Sequence, residues 1–240
     1  MPPLEIKKEA REALSGKWGK SVCIILASLL FTFALTLIQT LFITRPAIYF
    51  LISIASAIIS IPLSFGLLIS FIKLKRNENV KAFGFLKDGF SNFGKAWGIW
   101  FHTFIRLLLP FVCFFIIMIV LGFAAGFTSV SGSLGLSTGL SLITTAVYIS
   151  CVVYLMSRAL LYAIAYYLGY DNPGLSSKEC VLKSAELMKG NRGNLFLLGL
   201  SFIGWAILAV IPMGIGLLWL APYIQVSTVC FYERVAKIEK

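Results

Sequence analysis

Acidic residues are scarce: ten Asp and Glu stand against 21 Lys and Arg in 240 residues. None of the ten falls inside a long apolar run. Carriers coupled to protons or cations use carboxylates within the membrane, so that mechanism lacks its usual groups. Histidine is scarcer still. His102 is alone, four residues before Arg106 in an aromatic stretch, with no second ligand for a metal and no carboxylate for an acid-base pair. Gly-x-Ser-x-Gly, phosphate loops and dinucleotide glycine fingerprints are missing. Five cysteines are scattered, four of them in apolar runs, without metal-ligand spacing, and read as small hydrophobes. The expectation is no catalytic residue, no cofactor and no metal.

What fills the chain is apolar: 59% of residues are hydrophobic and 13% charged, against about 45–50% and about 25% in soluble domains. Lipid is the solvent that such a chain fits. The reading is an all-α polytopic membrane protein, one domain over 1–240, with spans at about 22–43, 47–72, 107–127, 140–164, 195–211 and 215–232. The first apolar run, 22–43, follows twenty residues that include Glu5, Glu9 and Glu12, which is not the pattern of a cleavable signal. Residues 128–139, rich in Ser and Gly and free of charge, read as an external loop. The fourth stretch, 140–168, is too long for one upright crossing and contains Arg158, so a tilt, a break or an interfacial end has to absorb the excess.

Basic residues set the orientation. Eighteen of the 21 fall in the two tails and the second-to-third and fourth-to-fifth connections; Arg45 lies on the opposite side, and Arg106 and Arg158 at or within the membrane. By the positive-inside rule both termini are cytoplasmic, and the charge reflects topology rather than nucleic-acid binding. Each cytoplasmic segment also carries an apolar stripe at helical spacing: Ile6, Ala10, Ala13 and Leu14; Phe83, Leu86, Phe90, Phe93 and Trp97; Val181, Ala185 and Met188. Ser176 and Glu179 have capping-box spacing ahead of the last. Such helices lie on the inner face of the membrane or cap the bundle. Each is followed by a glycine pair, Gly16/Gly19, Gly94/Gly98 and Gly190/Gly193. The unit of surface helix, glycine bend and membrane hairpin thus recurs three times, with Gly19, Gly98 and Gly193 expected at equivalent bends.

The polar groups left within the spans are Gln39, Gln225 and Arg158, with Arg106 at an end. They are the candidate anion or lipid site, Arg158 being the charge expected to face the bundle interior, eight residues from the inner interface. Amides in lipid also serve as glue between helices, and an arginine there also snorkels to the interface.

Asp171-Asn-Pro173, Leu187-Met-Lys-Gly190, Gly214-Ile-Gly216, Leu218-Trp-Leu220 and Phe231-Tyr-Glu233 resemble the bacterial integral membrane family catalogued as domain of unknown function 975. Ala10-Arg-Glu-Ala-Leu14 with Gly16-Lys-Trp-Gly19 is similar to that family's N-terminal signature. The resemblance implies a bacterial plasma-membrane protein and no reaction. Three functions remain open: a non-catalytic accessory, immunity or envelope-stress component; a transporter or lipid- or peptide-handling protein with a polar cavity around Arg158; and an enzyme using His102. Membrane lipids are the expected partners, with a possible protein partner at the cytoplasmic face.

Overall fold

The computed structural model describes residues 2–238, which form eleven helices and no strand. In chain order these are α1 (Pro3–Leu14), α2 (Trp18–Leu41), α3 (Pro46–Lys75), α4 (Gly84–Ser91), α5 (Phe93–Val130) and α6 (Leu134–Leu161). After them come α7 (Ala165–Asp171), α8 (Ser177–Leu187), α9 (Arg192–Leu200), α10 (Ile203–Val210) and α11 (Leu217–Ile238). In hydrocarbon a backbone has no partner but itself, and a helix satisfies every interior N–H and C=O locally. Five stretches are long and apolar enough to cross a membrane: Trp18–Leu41, Pro46–Lys75, Phe93–Val130, Gly135–Asp171 and Arg192–Val210. They carry the first five expected spans. The sixth falls in α11, whose Pro222, Gln225, Glu233 and Arg234 dilute its apolar character, and which is not among the five.

Two local expectations, the loop at 128–139 and the glycine bends, are corrected. The external loop at 128–139 shrinks to Ser131–Ser133, because α5 continues to Val130 and α6 begins at Leu134. Hydroxyls in this stretch donate back to their own helix, Thr128 to the Ala124 carbonyl at 3.0 Å and Ser141 to that of Ser137 at 2.9 Å, so a Ser-rich sequence remains helical. Gly132 makes the turn at φ +77°.

The fourth stretch breaks after Leu161, and Tyr162 and Ala163 bond back to carbonyls three residues earlier. A break is one of the three ways in which the excess length could be absorbed, and it puts Arg158 in the last turn of α6.

Gly19, Gly98 and Gly193 all lie inside helices instead of at bends. The turns fall at Gly16 (φ +72°) and Gly190 (φ +83°), where the left-handed backbone suits glycine. The second copy has no such turn: α4 stops at Asn92 and α5 runs straight through Gly94 and Gly98. Gly98 is small for another reason, since a Cβ there would lie 2.3 Å from Ser177 Oγ.

Burial divides the chain in two. No described residue from 28 to 61 or from 100 to 160 is buried, whereas the core gathers side chains from 6–27, 62–74, 85–99, 161–188 and 198–235. The α2–α3 and α5–α6 hairpins thus project from a shared base. In that base the α1 stripe is spent on protein: Ile6, Ala10 and Leu14 are fully buried where α1 lies against α11, α3 and α9. The Val181 and Met188 positions after α7 are equally enclosed. The middle helix differs. It turns Phe85 and Gly89 to the protein and leaves Phe83, Phe90 and Phe93 exposed. Its seat on α3 is a backbone crossing, in which a Cβ on Gly66 would come 1.9 Å from the Phe85 carbonyl oxygen and one on Gly89 2.3 Å from that of Pro62.

Candidate functional site

Between the projecting halves of α2 and α3 lies a groove of about 530 Å³. α2 lines it with Ser28, Thr32, Thr36 and Gln39, and α3 with Ser53, Ser56, Ser60 and Ser64. The spacings, i, i+4, i+8, i+11 and i, i+3, i+7, i+11, keep each set on one helical face. Six of these hydroxyls donate their single proton to a carbonyl of their own helix, for instance Thr32 to Ser28 at 2.9 Å, Thr36 to Thr32 at 3.0 Å and Ser60 to Ala57 at 2.8 Å. Their lone pairs remain for a guest. The wall is therefore rich in acceptors and suits a group that donates, with the Gln39 amide adding donors at one end. The signal was in the sequence as Ser and Thr recurring at helical spacing through two apolar runs.

Toward the base this groove meets a proline inside α3. Pro62 has no N–H, which leaves the Ile58 carbonyl without its helical donor. Trp97 of α5 supplies one, its indole Nε1–H reaching the Ile58 oxygen at 3.2 Å. The α4–α5 junction is thereby tied to the α2–α3 hairpin.

The expected site residues are not assembled. Gln39 lies in the groove; Arg158 is on α6, Arg106 on α5 and Gln225 on α11, and no hydrogen bond joins any two of them among the described residues. Arg158 Nη2 reaches the Tyr162 hydroxyl at 3.4 Å, while its Nε is buried without a partner. Next to it Arg192 donates to Ser157 Oγ at 3.1 Å.

The more enclosed charge is Lys7, only 8% exposed. Its ammonium donates to the Ser201 carbonyl at 2.7 Å, at the break between α9 and α10, and stands 4.2 Å above the Phe202 ring. The Lys7 carbonyl in turn accepts from the Tyr223 hydroxyl at 3.2 Å. Burial, and then the nearby Arg11 charge, push this lysine below its ordinary pKa.

The carboxylates are engaged elsewhere. Arg76 grips Asp171 with two bonds of 2.8 Å and reaches Glu233 at 3.3 Å. Lys75 bonds both Glu233 and Glu9, and Arg234 bonds Glu9 at 3.0 Å and Glu5 at 3.1 Å. Tyr232 adds a hydrogen bond to Asp171 at 2.9 Å. Burial alone would raise Glu9, but the bonds from Lys75 and Arg234 outweigh it and hold the carboxyl below its ordinary range. Asp171 keeps the Arg76 guanidinium firmly charged. This network clasps α1, α3, α7 and α11. Nothing in the sequence pairs residues so far apart. No cluster of three or more His, Cys, Asp or Glu able to hold a metal occurs among the described residues.

Apolar helices of spanning length with a polar-lined groove between two of them define a multi-pass membrane protein. The chain belongs to the family described as protein of unknown function (DUF975), whose model matches residues 1–239. No curated protein and no solved structure matches it.

Proposed function

We propose that this protein is a six-helix component of a bacterial plasma membrane, with both termini cytoplasmic, that holds an amphipathic guest, lipid- or peptide-like, without catalysing a reaction. α11 would serve as the sixth span, and α2–α3, α5–α6 and α9–α11 as the three hairpins. The hydroxyl-lined groove between α2 and α3 carries the reading: eight polar side chains on two facing stripes are more than helix packing needs, and hydroxyls that bond their own helix do not glue it to a neighbour. The test is thiol accessibility in membranes. With Cys23, Cys113 and Cys151 replaced by alanine, cysteines at Ser56 and Ser60 are expected to react with a water-soluble methanethiosulfonate, and cysteines at the lipid-facing Phe33 and Phe50 to stay unmodified. Equal reactivity at all four positions would reject a hydrated groove.

One observation favours the accessory-component reading. No described residue from 100 to 160 is buried, and Gly122 and Gly126 on α5 have open space where a Cβ would stand, the small-residue spacing on which a partner helix docks. Gly126→Cys cross-linking in native membranes would trap such a partner, and a monomeric product would count against it.

A further inference from the structure

A second cavity, of about 420 Å³, opens between α1, the start of α2, α10 and α11. Its walls include Trp18, Trp205, Trp219 and Tyr223, with Pro212 and Gly216 at one end and Arg11 on its lining. Three of the five tryptophans of the chain face one space. Arg11 is exposed and, among the described residues, forms no ion pair or hydrogen bond. Lys7, one turn earlier on α1, adds a second positive charge, and its ammonium is bound only to a neutral carbonyl and an aromatic ring.

Charge sorting on α1 makes this side electropositive. At about 100° per residue Lys7 and Arg11 flank the buried stripe of Ile6, Ala10 and Leu14 on one edge, and Glu5 and Glu9 on the other. Those two acids are neutralised there by Arg234 and Lys75. The cations beside the cavity consequently keep their field. Arg11 belongs to the basic side of the molecule, so in the orientation proposed above the cavity runs from the cytoplasmic leaflet toward the turn at Pro212, with Arg11 at headgroup depth and the rings of Trp205 and Trp219 deeper.

We propose that this cavity is a site for an anionic phospholipid, with the headgroup phosphate bonded by the Arg11 guanidinium and an acyl chain lying along Trp205 and Trp219. A guanidinium matches phosphate with two parallel bonds, and the indole walls match hydrocarbon. The assignment does not depend on the groove between α2 and α3.

Tryptophan quenching reads it directly. The full chain is placed in phosphatidylcholine vesicles doped with a minor fraction of brominated phosphatidylglycerol, or of brominated phosphatidylcholine as control. Half-maximal quenching is expected at about tenfold lower content of the anionic lipid, the size of one charge-assisted bond. Arg11→Gln should erase the preference, Arg11→Lys keep part of it, and Lys20→Gln leave it intact. Arg11 is exposed, so each variant should elute from gel filtration as the native chain does. Equal quenching by the two lipids overturns the proposal, as does a preference that survives Arg11→Gln. Inorganic phosphate that displaces the brominated lipid at matching concentration would assign the site to a free anion and overturn it too. Tryptophans that neither lipid quenches would point to a protein occupant and likewise overturn it.

Discussion

At the scale of single residues, Pro62 shows how a defect is repaired from outside its helix. Removing Trp97 Nε1–H strands the Ile58 carbonyl in apolar surroundings, so Trp97→Phe is expected to destabilise by about 1 kcal/mol. Pro62→Ala returns a backbone N–H to that carbonyl, and in this background Trp97→Phe should cost much less. A double-mutant cycle from thermal unfolding in detergent measures the coupling; equal costs in both backgrounds would mean that the indole bond does not serve the proline. The proline was plain in the sequence and its partner was not, because 39 residues separate Trp97 from Ile58. Arg158 behaves alike. Its place in an apolar run was readable, whereas the helix end at Leu161 one turn later was not, because no glycine or proline marks it.

At the scale of elements, the ionic clasp converts pH into cohesion between α1 and the helices beneath it. Glu9 is held below its ordinary carboxylate value in the folded protein. Its contribution is therefore fully present above the unfolded value of 4.5 and is lost as pH falls through the lower folded value. The unfolding midpoint should be level between pH 8 and 6 as far as Glu9 is concerned and decline in acid, and Glu9→Gln should start lower and decline less. Acid curves that superpose for the two proteins would remove Glu9 from the linkage. Among the elements, α8 was the most legible, because Ser176 and Glu179 form the capping box that their spacing announced. α1 was half legible: the stripe was clear, but whether it covered lipid or protein was decided by α11, more than 200 residues away. For α4 the aromatic stripe is the face left exposed, which its spacing alone did not decide. Phenylalanine is as content in lipid as in a core, and two glycines fixed the contact.

For the whole molecule the hairpin order predicts sidedness. Reporter fusions at 45, 133 and 213 should read as external and those at 85, 183 and 240 as cytoplasmic; a cytoplasmic signal at 133 would refute the six-crossing arrangement. Five of the expected spans were legible because length and hydropathy alone define the stretches that carry them. The sixth was less so. Polar residues dilute α11, so apolar length gave no firm boundary there. A helix of 38 residues such as α5 is about 57 Å long, far beyond a hydrocarbon core of about 30 Å. Its first turns therefore belong to the base, where Ala96 and Ile99 are buried.

The seat of α1 is built from the other end of the chain. Lys7 needs the carbonyl of Ser201, and Glu5 and Glu9 need Arg234. On a ribosome adding about 5–20 residues per second, the first helix emerges and then waits on the order of ten to forty seconds before its partners exist. During that interval Ile6, Ala10 and Leu14 have only the membrane surface or a chaperone to cover them. The amphipathic stripe thus has two successive occupants, the first temporary and supplied by the cell, the second α11. Assembly of the base consequently waits for α11, and the earlier helices are made before the core that joins them.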